Sequence, residues 1–175
     1  HAGAGTGFGS SPSATIQLNV SNGTTQVTKT VTPESATAVL GTSVAIALGA
    51  TNTSNGSVDS LTIQEPSNTA WTVLDFLQPS GISGVTMPSG ADRVRVDWFD
   101  GSTWTTGTPS ATAALPSGVA PADIQALRFV FTSSTGGRIA IGATAALTLD
   151  TQLSAAAAAV TEPTTITNTA SSWVT

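Results

Sequence analysis

Apolar and polar side chains alternate with a period of two along most of this chain. Val27, Lys29 and Val31 fall in phase, with Thr28, Thr30 and Thr32 between them. Val44, Ile46 and Leu48 share a phase within residues 42–53, as do Leu61, Ile63 and Glu65 within residues 58–65. Successive side chains of a strand point to opposite faces, so this alternation predicts strands with one buried face. Further strands are expected over residues 93–98, 102–106, 128–133, 138–141, 145–152 and 164–170. Residues 14–20 (ATIQLNV) predict one more, ahead of the series.

Turn-forming residues separate these segments. Pro33-Glu34-Ser35 and Pro66 end strands, Asn55-Gly56 signals a tight turn, and Asp100-Gly101 closes a hairpin between residues 93–98 and 102–106. Residues 71–87, broken by Pro79, Gly81 and Gly84, read as loop and short strands. Residues 121–127 hold the one expected helical turn. The alanine run at 155–159 has helical propensity but sits between strands, so it reads as loop or strand extension. Short strands at this spacing predict an all-β fold, an Ig-like Greek-key β-sandwich with long loops and at most one short helical turn. Residues 1–26 read as a Gly/Ser-rich linker plus one strand, which pairs with this or a preceding module. Residues 27–175 read as the Ig-like module.

Composition narrows the function. Charged residues make up 9% of the chain, against about a quarter in an average soluble domain. The net charge is −5. The cations Lys29, Arg93, Arg95, Arg128 and Arg138 are scattered and build no patch for nucleic acid or an anionic membrane. The longest apolar run, residues 155–160, is too short to cross a bilayer. With no cysteine there is neither disulfide nor thiolate metal site. The one histidine is His1, so no Ser–His triad can be built in the fold. No cofactor or metal is expected.

The candidate chemistry begins with Lys29, the only lysine, placed in phase with two valines and so facing inward. Asn168 shares a phase with Ile166 and Ala170, and Glu65 with Leu61 and Ile63. Buried polar groups are costly unless paired, which suggests that the three meet. An ammonium in an apolar pocket tends toward the nucleophilic amine, and a carboxyl there tends to stay protonated. Glu65 would polarise the Asn168 carbonyl, Lys29 would attack it, and ammonia would leave. The plainer alternative makes Lys29 an edge-strand residue reaching to water and Asn168 an ordinary turn or ladder-end residue.

Residues 27–66, closed by TITNTA, resemble the conserved-repeat domains of Gram-positive, actinobacterial-type surface proteins. They also look like the isopeptide-forming domains of pilins and collagen-adhesin-type stalks. The resemblance covers residues 27–171 and extends to WFDGSTW and LRFVFTSSTGGRIAIGATAALTL. It implies a Lys on the first strand bonded to an Asn on the last, with an acidic residue on a middle strand assisting. Lys29, Asn168 and Glu65 fall on those positions. Glu65 stands where many of these repeats carry Asp, and residues 1–26 match nothing in the motif. The resemblance implies a secreted structural or adhesive module, attached to the cell surface or cell wall through an anchor outside this segment. Its partners would be neighbouring modules of the same chain, with a host or glycan ligand as a further candidate. It implies no enzyme beyond a single self-catalysed turnover.

Other sites are weaker. Trp98 and Trp104 flank the hairpin turn and could form an exposed pair for a glycan or host protein, although cross-strand packing is favoured. That pair carries the alternative function, a ligand-binding adhesin domain without crosslink. Trp71 and Trp173 read as core and module-junction residues. Asp92, Asp97 and Asp100 match no calcium loop, and nothing marks a pair such as Asp75 and Asp97 for glycoside hydrolysis. The abundant threonine forms no strict repeat of the kind an ice-binding face needs.

Overall fold

The computed structural model describes residues 22–175, so the strand expected at 14–20 lies outside the described residues. The chain folds as an all-β sandwich of two antiparallel sheets. The first contains β1 (Thr25–Thr32), β2 (Ser43–Asn52), β4 (Leu77–Thr86) and β8 (Thr144–Leu153), in the order β1-β2-β8-β4. The second contains β3 (Ser60–Glu65), β5 (Arg93–Phe99), β6 (Trp104–Thr105), β7 (Ala126–Thr132) and β9 (Ser171–Val174), in the order β6-β5-β7-β3-β9.

The alternating residues account for the core. Val44, Ile46, Leu48 and Ala50 point inward from β2, and Ala145, Leu147 and Leu149 from β8. Leu61, Ile63, Phe129, Phe131 and Val94 meet them from the second sheet, all at 1% exposure or less. Each such large side chain contributes roughly 1.5–3 kcal/mol of transfer free energy. Val27 shares the inward face of β1, opposite Ala50, yet is 37% exposed, because it lies on an edge strand.

Several expected elements differ. Residues 71–87 contain a helical turn, α1 (Val73–Phe76), and the ten-residue β4. The strand tolerates Pro79 and its glycines because it is an edge, paired only with β8 and with register shifts at Pro79/Gly81 and Ser83/Thr86. The alanine run forms a second helical turn, α2 (Ala155–Ala158), because the Ser154 hydroxyl accepts the Ala157 N–H at 3.2 Å and caps it. Residues 121–127 hold only the 3-10 turn Pro121–Asp123, so the chain has more helical turns than the one expected.

Residues 138–141 make a single bridge, Ile139 to Val58, instead of a strand. Ile139 exchanges both backbone hydrogen bonds with Val58, and the buried Asn52 amide donates to the carbonyls of Ile139 (3.2 Å) and Ala140 (3.1 Å). Asn55-Gly56 does not close a hairpin. It carries the chain from β2 in one sheet to β3 in the other. The hairpin at Asp100-Gly101 forms, but β6 is two residues long because Asp100 Oδ1 accepts the Ser102 and Thr103 N–H groups, both at 2.8 Å. Gly101 takes φ of 95°, a conformation that glycine adopts without penalty.

The strand expected at 164–170 is absent, and the last strand is β9. Thr165, Ile166 and Asn168 line a cavity with Val31 of β1, Val44 of β2 and Leu153 of β8, and the stretch pairs with no strand. Its alternation survives: Ile166, Asn168 and Ala170 are half-buried and the intervening threonines exposed.

Candidate functional site

β1 and β2 are in register with Lys29 opposite Leu48, Val31 opposite Ile46 and Val27 opposite Ala50. Directly opposed residues of an antiparallel pair share a face. Leu48, Ile46 and Ala50 are all buried, so Lys29 is directed toward the interior. Its side chain is 12% exposed. Glu65 ends β3 opposite the buried Leu127 and is itself 0% exposed. Asn168 is held beside it because the Ser67 N–H donates to the Thr169 carbonyl at 2.7 Å, and the two hydroxyls lie 2.6 Å apart.

The three side chains converge. Lys29 Nζ donates to Glu65 Oε1 at 2.6 Å and to Oε2 at 2.7 Å. Asn168 Nδ2 donates to the same Glu65 Oε1 at 2.6 Å. One carboxyl oxygen therefore bridges the amine and the carboxamide, which lie no further apart than twice that distance. Asn168 Oδ1 is buried with no hydrogen-bond partner among the described residues.

The electrostatics follow from burial. Desolvation lowers the Lys29 pKa from 10.5, against the pull of Glu65, whose charge and hydrogen bonds raise it. Desolvation raises the Glu65 pKa from 4.5, against the lowering effects of Lys29 and of the Asn168 hydrogen bond. Both shifts move the pair toward neutral amine and protonated acid. The adjoining cavity, about 560 Å³, brings Val31, Phe76, Leu153 and Ile166 together with Asn168.

Trp98 and Trp104 do not form a pair. Trp98 lies opposite Thr105 and packs against the core, whereas Trp104 lies opposite Phe99 on the outer face. A shared aromatic surface, the less favoured of the two readings, does not form, because neighbouring strand positions point to opposite sides of the sheet. Trp104 instead meets Phe99, with ring centroids 5.5 Å apart, and carries the Arg128 guanidinium 3.7 Å from its ring centre. Arg128 also lies 5.3 Å from the Trp173 ring and donates from Nε to Gln64 Oε1 at 2.8 Å. This array on the outer face of the second sheet was not legible beforehand. Residues 64, 104, 128 and 173 lie on separate strands, and nothing local links them.

Trp71 packs against the core. The three hairpin aspartates are each occupied separately: Asp92 accepts from Ser134, Asp97 from Arg95, and Asp100 from its own turn. Asp75 lies in α1, remote in the chain from Asp97 on β5. No family model, curated protein or solved structure matches the chain.

Proposed function

We propose that the chain is a structural or adhesive module of a bacterial cell-surface protein, stabilised by an isopeptide bond that it forms itself between Lys29 and Asn168. The observation that carries this reading is the single buried Glu65 oxygen lying 2.6 Å from both Lys29 Nζ and Asn168 Nδ2.

The chemistry uses the neutral form of the pair. Turning the Asn168 carboxamide half a turn brings Oδ1 to Glu65 Oε1, where a protonated Glu65 donates its O–H to the otherwise unpartnered oxygen. That hydrogen bond draws electrons from the carbonyl carbon. The Lys29 amine attacks Cγ, forming the Nζ–Cγ bond. Glu65 relays a proton from Nζ to Nδ2, the Cγ–Nδ2 bond breaks, and ammonia leaves. The amide that remains carries no charge, so the cost of holding an ammonium and a carboxylate in the interior disappears. Placement of the groups by the fold supplies the effective concentration that a bimolecular amidation lacks. The cavity beside Asn168 supports the reading by giving ammonia room to depart.

The alternative, a ligand-binding domain without crosslink, loses its main support because Trp98 and Trp104 occupy different faces. Intact-mass measurement on the denatured protein decides the matter. The expected mass is one ammonia below that of the sequence, with the Lys29 and Asn168 peptides joined after digestion. The unmodified mass would overturn the proposal.

A further inference from the structure

One cation of the chain lacks a counter-ion. Lys29 pairs with Glu65, Arg93 with Asp92, Arg95 with Asp97 and Arg138 with Asp59. Arg128 makes no ion pair among the described residues. Asp97 stands directly opposite it on β5, but both carboxylate oxygens are taken by Arg95, at 2.8 and 2.9 Å. Oδ1 also accepts the Gly107 N–H at 2.9 Å. Partial burial lowers the Arg128 pKa from 12.5, against the pull of Asp97. The charge is therefore held at a desolvation cost that no dedicated partner offsets.

The guanidinium is nevertheless fixed in place. Its Nε donates to Gln64 Oε1 at 2.8 Å, and Cζ lies 3.7 Å from the Trp104 ring centre and 5.3 Å from that of Trp173. Trp104 and Trp173 stand on β6 and β9, the outermost strands of the second sheet, with Arg128 on β7 in its middle. Both indoles must reach inward across the outer face to come so near. Thr62, Gln64 and Val130 are buried beneath this layer. Trp173 itself keeps 36% exposure, so its ring is still open to a ligand. With Nε occupied, Nη1 and Nη2 have no hydrogen-bond partner among the described residues and form an end-on fork.

We propose that Arg128 and Trp173 bind a carboxylate-bearing sugar, a hexuronate residue of a glycan. The fork takes the two carboxylate oxygens, and the C–H face of the pyranose stacks on the Trp173 indole. Trp104 and Gln64 are positioning residues that hold the guanidinium. A planar fork matches a carboxylate in shape, and such charge-assisted pairs are the stronger hydrogen bonds. Tryptophan supplies a broad, rigid apolar face. A peptide fits less well. β7 and β3 are each paired on both sides, so this face has no free backbone groups for strand addition. Nucleic acid fits worse, because the net charge is −5 and the other cations are already paired. The site does not rest on the crosslink: Gln64 and Glu65 are neighbours on β3 and point to opposite faces.

The four tryptophans give four indole N–H signals, so one NMR titration of the isotope-labelled full chain locates the ligand. Methyl α-D-glucuronide is expected to shift the Trp104, Trp173 and Arg128 Nε–H signals saturably and leave Trp71 and Trp98 unmoved. Methyl α-D-glucoside, which lacks the carboxylate, should bind at least about tenfold more weakly. Arg128→Lys should lose about as much, since an ammonium offers no fork. Because that change also loosens the array, Trp173→Ala at an exposed position is the second variant. It should weaken the glucuronide with the Trp104 and Arg128 signals otherwise in place. Equal binding of the two sugars, equal binding of triglutamate, a shift of all four indoles, or no shift up to the solubility of the glucuronide would each overturn the proposal.

Discussion

Asn168 and Glu65 are 103 positions apart in the chain and 2.6 Å apart in space. The contact needs β3 to end at Glu65 and the stretch before β9 to be held against it. Glu65→Gln preserves the shape and can still hydrogen-bond, but it cannot pass a proton from Lys29 to the leaving nitrogen. The variant is expected to keep the full sequence mass. By analogy with a disulfide closing a loop of this length, losing the bond costs roughly 4–5 kcal/mol. At 2–4 °C per kcal/mol for a chain of this size, the melting temperature should drop by about 8–20 °C in calorimetry. A variant that still sheds ammonia would remove Glu65 from the mechanism.

Lys29→Met removes both the nucleophile and the cation that opposes protonation of Glu65. The buried carboxyl then has its pKa raised by desolvation without the Lys29 counter-effect. Between the ordinary value of 4.5 and the raised folded value, the folded state holds a proton that the unfolded state has lost. Stability from this group is complete below 4.5 and is lost as pH rises through the folded pKa. Urea midpoints for the variant are therefore expected to be higher at pH 4.5 than at pH 8. Equal midpoints would mean that the Glu65 carboxyl is solvated.

Arg128 reaches Gln64, a side chain with 6% exposure, and covers the ring of Trp104. Arg128→Ala leaves Gln64 Oε1 without that donor and uncovers the indole. A deserted acceptor costs roughly 1–3 kcal/mol and the cation–π contact about 0.5–1 kcal/mol. Arg128→Lys should recover little, since an ammonium cannot lie flat on the ring while donating sideways to Gln64. Chemical denaturation of both variants checks this. A change below about 0.5 kcal/mol, the level of an ordinary surface substitution, would show that the array carries no stability.

The Asp100 carboxylate is exposed, yet turn N–H and hydroxyl groups hold its pKa down at about 2. A depressed pKa means that the hairpin tip gains stability above the ordinary value of 3.8 and loses it as pH falls toward 2. Carbon NMR titration of Asp100 is expected to find a midpoint near 2, and Asp100→Ala should loosen residues 100–103 in amide exchange. A midpoint near 3.8 would mean that the turn opens in solution.

Most of the sandwich was legible because alternation reports burial directly. β2, β5, β7 and β8 lie close to where their periodicity put them. The inward faces of Lys29, Glu65 and Asn168 were legible for the same reason, even though the stretch around Asn168 makes no ladder. What escaped depends on partners distant in the chain. β4 was hidden because an edge strand tolerates Pro79, and the expected 138–141 strand shrinks to the one bridge between Ile139 and Val58. α2 was legible in principle, since Ser154 before an alanine run is a capping signal that its position between strands obscured. The tryptophan pair failed on parity: positions 98 and 104 flank the same turn, but the register sets Trp104 opposite Phe99 and Trp98 opposite Thr105.

A sheet edge is an open row of donors and acceptors on which another chain can add itself, and proteins commonly guard it with lysine. Here the only lysine is turned inward, and 9% of the residues are charged. The guarding is done by shape. β1 and β9 shelter one another at their shared corner, and Pro79 and two register shifts interrupt β4. β6 offers two residues, and Ser110 takes up the Val94 N–H and C=O further along β5. A β-sandwich poor in charged residues thus leaves little straight edge for another strand to join, and a change that straightens β4 would invite aggregation before it cost the fold.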